Sequence, residues 1–138
     1  MKNVFISYDY QNREFATSLA STLEEQGMKS FLSGNDFRAG GNWLEGLKDH
    51  VKTADGFVLV MPDVTSVSSN STFFEVGVAR AFGKKVVVVV PDIEKVDRTN
   101  IPMDIANAIV IDAAKQSLKS VAATVVGAVD RESAAILE

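Results

Sequence analysis

Five consecutive valines, Val86 to Val90, limit what this chain can fold into more than any other stretch. Side chains of a strand point alternately to the two faces of a sheet, so an unbroken apolar run needs cover on both faces. A central strand of a parallel sheet, with helices packed on each side, meets that need. The rest of the chain supplies the layers. "VFISY" (Val4 to Tyr8), Lys29 to Leu32, "GFVLVM" (Gly56 to Met61) and Ala108 to Ile111 read as further short strands. Between them, Phe15, Leu19 and Leu23 recur at helical spacing up to Gly27, and Leu44, Leu47 and Val51 line a second helix. Asn42 reads as the N-cap of that second helix, with Glu45 three residues on. A third helix is predicted from about Thr72 to Phe82, with Phe74, Val78, Ala81 and Phe82 as its apolar stripe and Gly83 at its end. Leu118, Val121, Ala122, Val125 and Val129 mark a last amphipathic helix, and the closing "RESAAILE" reads as the start of a further element. Alternating strands and helices imply an α/β fold: a single open parallel sheet of about five strands with helices on both faces, flavodoxin-like in layout.

Composition narrows the function. With 138 residues, 46% of them hydrophobic, the chain is expected to be one domain spanning 1–138. No apolar stretch has the roughly 18 residues of a membrane span, and the first residues lack the pattern of a signal peptide, so a cytoplasmic location without membrane contact is expected. The absence of cysteine removes thiol catalysis and thiolate metal sites, and one histidine, His50, excludes a site that needs two. No metal or bound cofactor is expected. A net charge of −4 with no basic stripe argues against nucleic-acid binding.

Ligands of such sheets sit beyond the carboxyl ends of the strands. Those ends carry "SYDYQN", "SGNDFRAGGN", "PDVTSVSSNS" and "PDIEK". The first strand-to-helix turn has no glycine, so the dinucleotide fingerprint of hydride-transfer enzymes is missing. A phosphoacceptor layout wants an acidic pair after the first strand and a lysine after the last. Here Asp9 stands alone and Asp112 follows Ile111.

Three stretches carry a family resemblance. "VFISYDYQNREFATSLASTLEEQGMKSFL" resembles the opening box of Toll/interleukin-1 receptor (TIR) domains, in which an F-I-S-Y core leads into the first helix. "DFRAGGNWLEGLKDHVKTADGFVLVMP" is similar to the glycine-bearing loop, helix and third strand that follow. "SNSTFFEVGVARAFGKKVVVVV" is similar to the family's S-x-W-x-x-x-E stretch, with Ser69 and Glu75 at the family's spacing and Ser71 where many members carry tryptophan. The resemblance runs from about Val4 to Val90. It implies one of two functions. Many bacterial and plant TIR domains cleave the nicotinamide-ribose bond of NAD, with the glutamate carried here by Glu75 as the essential residue; some release a cyclic ADP-ribose signal in immunity. Many animal TIR domains only assemble signalling complexes. "TFFEVGVARAFGKKV" also resembles the F-E-x-G-x-A segment of nucleoside deoxyribosyltransferases, whose glutamate attacks a sugar's anomeric carbon.

Glu75 therefore has two readings. Thr72-x-x-Glu75 is a capping box, in which the acid returns to the cap residue's N–H at the positive end of the helix. Alternatively, Glu75 is the catalytic acid. Cleaving NAD expels a pyridinium-derived leaving group that needs no general acid, so one placed carboxylate that stabilises positive charge on the ribose suffices.

The other candidates are substrate-binding. Ser7 and Tyr8, at the end of the first strand, are expected to face the same crevice as Glu75, with Tyr8 either stacking on a ring or half-buried as packing. Arg38 is expected either to meet a pyrophosphate at a helix N-terminus, with the N–H groups of Gly41 and Asn42, or to be a solvated side chain of a surface loop. Trp43 is either a packing anchor or a nicotinamide platform. Ser69 and Ser71 cap their helix and offer ribose contacts. Asp9 reads as a turn or cap residue, and His50, among Lys48, Asp49 and Lys52, as a solvated side chain. The loop at 34–42, with Phe37 and Arg38, has the residue types enriched at interfaces. The resemblance implies self-association through it, the complete site being built from two chains, and a TIR-type or sensor protein as a further partner.

Overall fold

The computed structural model of the chain describes residues 2–32, 43–61, 69–91 and 109–136. Its elements are β1 (Asn3–Ser7), a 3-10 turn at Tyr10–Asn12, α1 (Arg13–Glu25), β2 (Lys29–Leu32), α2 (Trp43–Thr53), β3 (Gly56–Val60), α3 (Ser69–Ala81), β4 (Val86–Val90), β5 (Ile109–Asp112), a second 3-10 turn at Ala113–Lys115 and α4 (Leu118–Ile136). The strands form one five-stranded sheet in the order β2-β1-β3-β4-β5, and every pairing is parallel. This is the flavodoxin-like order, whose reversal of direction falls between β1 and β3.

The valine run behaves as its composition demands. Val87, Val88, Val89 and Val90 are wholly buried, and Val86 nearly so. Alternation divides them. Val87 and Val89 join Val4, Ile6, Val58 and Val60 beneath α1 and α4, while Val86, Val88 and Val90 join Phe5, Phe57 and Leu59 beneath α2 and α3. The helices contribute Leu19 and Leu23 from α1 and Val121, Val125 and Val129 from α4 to the first layer, and Leu47 and Val51 from α2 to the second. Two apolar layers share one sheet, which leaves the carboxyl ends of the strands as the place for polar chemistry.

Both α1 and α3 stop at a glycine in the left-handed region, Gly27 at φ 86° and Gly83 at φ 71°. At the second of these, Lys84 N–H donates to the Ala79 carbonyl at 3.0 Å and Gly83 N–H to that of Arg80 at 2.9 Å. This closing pattern uses the absence of a side chain at Gly83. At the other end of the chain, the closing residues do not start a new element: α4 runs on through "RESAAI" to Ile136. Among the described residues, no helix is long and apolar enough to cross a membrane.

Candidate active site

α3 begins at Ser69, three residues before the expected start. The shift removes the capping box. Thr72 lies inside the helix, and Glu75 sits in its second turn, too far along to return to a cap residue. The inward face also differs from the expected stripe. Val76 and Ala79 are buried and Val78 partly so, whereas Ala81 and Phe82 are exposed, Phe82 by 39%. Glu75 belongs to the inward face, and only 4% of it is accessible.

Burying a carboxyl is costly unless it gains hydrogen bonds. β1 supplies one: Ser7 Oγ donates to Glu75 Oε1 at 2.5 Å, across 68 positions of sequence. Strand parity explains the meeting. Ser7 follows Phe5 by two, so its side chain emerges on the α2/α3 side of the sheet, where α3 lies over β1 and β3. Ser7 itself is wholly buried. The pair stands at the carboxyl end of β1, beside the reversal of strand order where ligands of such sheets are bound.

A second polar contact closes the same end. Asp9, 3% accessible, follows β1, and its Oδ1 accepts from Asn12 Nδ2 at 3.0 Å. That amide also reaches the Met61 carbonyl at the end of β3, at 3.5 Å. The Asn12 N–H donates to the Asp9 carbonyl at 3.0 Å, which confirms Asp9 as a turn residue and adds that its carboxyl is buried. Asn12 was not singled out by sequence; it holds the N-cap position of α1, yet its side chain makes no cap hydrogen bond there and braces β1 to β3 instead. The only signal for it was an asparagine directly before a helical pattern, which ordinarily means a cap. Among the described residues, every buried side-chain nitrogen and oxygen has a hydrogen-bond partner.

Of the residues named from sequence, the structure brings Ser7 and Glu75 together. It does not bring Tyr8 to them. Tyr8 is 8% accessible and packs with Val4, Ile6 and Leu19 in the layer beneath α1 and α4. Consecutive residues at a strand end diverge, so Tyr8 takes its packing role. His50 is exposed as expected but not simply solvated, because its ring stacks on Phe31 with centroids 3.8 Å apart. Phe37 and Arg38, and with them the loop at 34–42, lie outside the described residues. Trp43 opens α2, and Ser69 and Ser71 fall in the first turn of α3; the contacts expected of their side chains lie outside what is described. Among the described residues, no group of three or more metal-ligating side chains gathers. Among the described residues, the crevice offers one buried acid aligned by a hydroxyl, a second buried acid, and an amide brace.

A sequence profile of the TIR domain matches residues 4–124. No curated protein sequence matches the chain closely enough to count as a relative. Several solved structures share the fold. One is a CMP N-glycosidase, BcmB, from Clostridium botulinum, with a TM-score of 0.61 at 22% identity over 87% of this chain and 97% of that one. The TIR domains of the activated Roq1 resistosome, which directly recognizes the pathogen effector XopQ, give 0.57 at 19% identity over 93% and 72%. A diflavin flavoprotein A3 from Nostoc sp. gives 0.51 at 17% identity over 88% and 85%. At these identities the likeness is one of fold.

Proposed function

The chain belongs to the TIR domain family, and from that premise we propose that it is an NAD nucleosidase whose catalytic carboxylate is Glu75. The observation that carries the reading is the buried Ser7–Glu75 pair at the carboxyl end of β1. An acid held there, away from any capping role, is placed to act on a ligand in the crevice between β1 and β3.

The chemistry asks little more of the protein. The bond between the ribose C1′ and the pyridinium nitrogen breaks, and its electron pair leaves with nicotinamide, which becomes neutral without protonation. Positive charge builds on C1′ and the ring oxygen. The Glu75 carboxylate, aligned by the Ser7 hydroxyl, stabilises that charge as it develops. Water then adds to C1′ and loses its proton, giving ADP-ribose; an adenine nitrogen adding in its place gives a cyclic product, an immune signal in this reading. Arg38 would hold the pyrophosphate, Trp43 the nicotinamide ring, and Ser69 and Ser71 the ribose. The loop at 34–42 would join two chains so that each completes the other's pocket, with a TIR-type or sensor protein as the upstream partner and a cytoplasmic setting.

A second reading is a nucleoside or nucleotide N-glycosidase, favoured by the likeness to the CMP N-glycosidase over most of both chains. It breaks the same kind of bond, but a neutral base is a poorer leaving group and calls for a proton donor. Incubation with NAD and, separately, with CMP or a nucleoside separates the readings. Nicotinamide released from NAD supports the first, free base from CMP or a nucleoside supports the second, and neither product from an assembled protein leaves a TIR module that acts only by binding.

A further inference from the structure

The amino end of the sheet, opposite the Glu75 crevice, holds a cavity of about 240 Å³ between β1, β2 and the last turn of α2. Asn3, Phe5, Lys29, Phe31, His50 and Thr53 are among its lining residues, all of them described. Its apolar wall is an aromatic column. The His50 ring lies on Phe31 at 3.8 Å and 17°, Phe31 meets Phe5 at 5.4 Å, and Phe5 stacks on Phe57 at 5.3 Å and 12°. Phe5 and Phe57 are wholly buried, so the column runs from the core outward and ends in two accessible rings.

The polar rim is rich in donors. Asn3 Oδ1 accepts from Asp55 N–H at 3.2 Å, which fixes the amide's orientation and leaves its NH₂ on the other edge. Lys29 is exposed and makes no ion pair among the described residues. Two acids stand near. Asp55 has Oδ2 occupied by the Asn3 N–H at 2.8 Å, and Asp49 precedes His50 on α2. Thr53 Oγ1 donates to the Asp49 and His50 carbonyls at 3.0 and 3.3 Å, so toward a ligand it can only accept. An aromatic wall bordered by an ammonium and an amide NH₂ is complementary to a flat ring carrying a negative charge. The volume is below the roughly 300–1,000 Å³ of sites for drug-sized ligands and suits a single ring.

We propose that this cavity is a binding site for a small planar aromatic carboxylate, with the ring against the Phe31–His50 stack and the carboxylate on Lys29 and the Asn3 amide. It shares no residue with the Glu75 crevice, so the proposal stands independently of the NAD reading. His50 is the only histidine in the chain, and its ring protons therefore give unambiguous NMR signals. The full chain is titrated at constant pH and ionic strength with benzoate, benzamide and cyclohexanecarboxylate. Benzoate should give a saturable shift of the His50 signals, and the other two probes, one lacking the charge and the other the aromatic face, should bind at least about fivefold more weakly. Lys29→Gln, at an exposed position, should weaken benzoate by about fivefold without changing benzamide. Phe31→Leu should abolish the benzoate shift, and Glu75→Gln should leave it unchanged. A shift that never saturates, equal affinity for all three probes, or indifference to Lys29→Gln overturns the proposal, and the last result does so even if Phe31→Leu does not fold.

Discussion

Removing the Ser7 hydroxyl isolates the interaction on which the site depends. Ser7→Ala keeps the backbone and Cβ but removes one hydrogen-bond donor to Glu75 Oε1, at a place where Ser7 is wholly buried and Glu75 is 4% accessible. A hydrogen bond to a charged group contributes about 1.5–3 kcal/mol net. Unfolding entropy near 2.1 cal/mol/K per residue, over 138 residues, makes 1 kcal/mol worth about 3–4 °C of melting temperature. The expected drop in Tm for Ser7→Ala is therefore about 5–10 °C by calorimetry at pH 7. NAD turnover should fall by about tenfold, since the carboxylate survives but is no longer held in one orientation. A second variant tests the cause. Ser7→Ala with Glu75→Leu removes both members of this pair, and replacing both ends of a buried hydrogen bond by apolar groups is nearly neutral or stabilising. It should melt within about 3 °C of wild type and be inactive. If Ser7→Ala melts within about 1 °C of wild type, or the double variant is less stable than the single, the hydroxyl does not hold the acid and the reasoning fails.

Asn12→Ala should lower Tm by about 3 °C, the effect of losing about 1 kcal/mol from a buried carboxyl's hydrogen bond, and an unchanged melt would show that Asn12 does not brace β1 to β3. A Cβ at Gly56 would lie 2.8 Å from Val129 Cγ2, so Gly56→Ala should cost about 1–3 kcal/mol in urea unfolding, and Val129→Ala in the same chain should recover part of it. If the pair is no better than Gly56→Ala alone, α4 is not what that glycine admits. Phe37→Ala with Arg38→Ala should reduce self-association in sedimentation and specific activity together; activity constant over a wide dilution series and untouched by the variant would mean that one chain holds a complete site.

The inner strands were legible because burial on both faces leaves a plain mark: the run Val86 to Val90 appears as a strand with its expected bounds, in the interior of the expected sheet between β3 and β5. α3 was harder to read. Its sequence mixes serine, glycine and alanine with a few large apolar residues, so helical periodicity is weak, and its start and inward face are set by packing on β1 and β3. Glu75, which the expected stripe leaves out, belongs to the buried face. Tyr8 is a different case. Its separation from Ser7 follows from the two-residue period of a strand, so the sequence held the answer, and a shared crevice for both residues was inconsistent with it. The Ser7–Glu75 bond, the Asn12 brace and the Phe31–His50 stack leave no local pattern, because each joins residues that only the fold makes neighbours. Family resemblance singled out Glu75 as the candidate acid; the structure added its hydrogen bond from Ser7.

Glu75→Gln tests the central claim most directly. The amide keeps the side chain's shape and an oxygen that can accept from Ser7, while the charge is lost. Wild type and variant are incubated with NAD at a concentration high enough for self-association, and nicotinamide and ADP-ribose products are measured by liquid chromatography and mass spectrometry. The account predicts nicotinamide release by wild type, a loss on the order of 100-fold or more in the variant, as for removal of a principal electrostatic stabiliser, and a melting temperature within a few degrees of wild type. Release of nicotinamide by Glu75→Gln at the wild-type rate would contradict it.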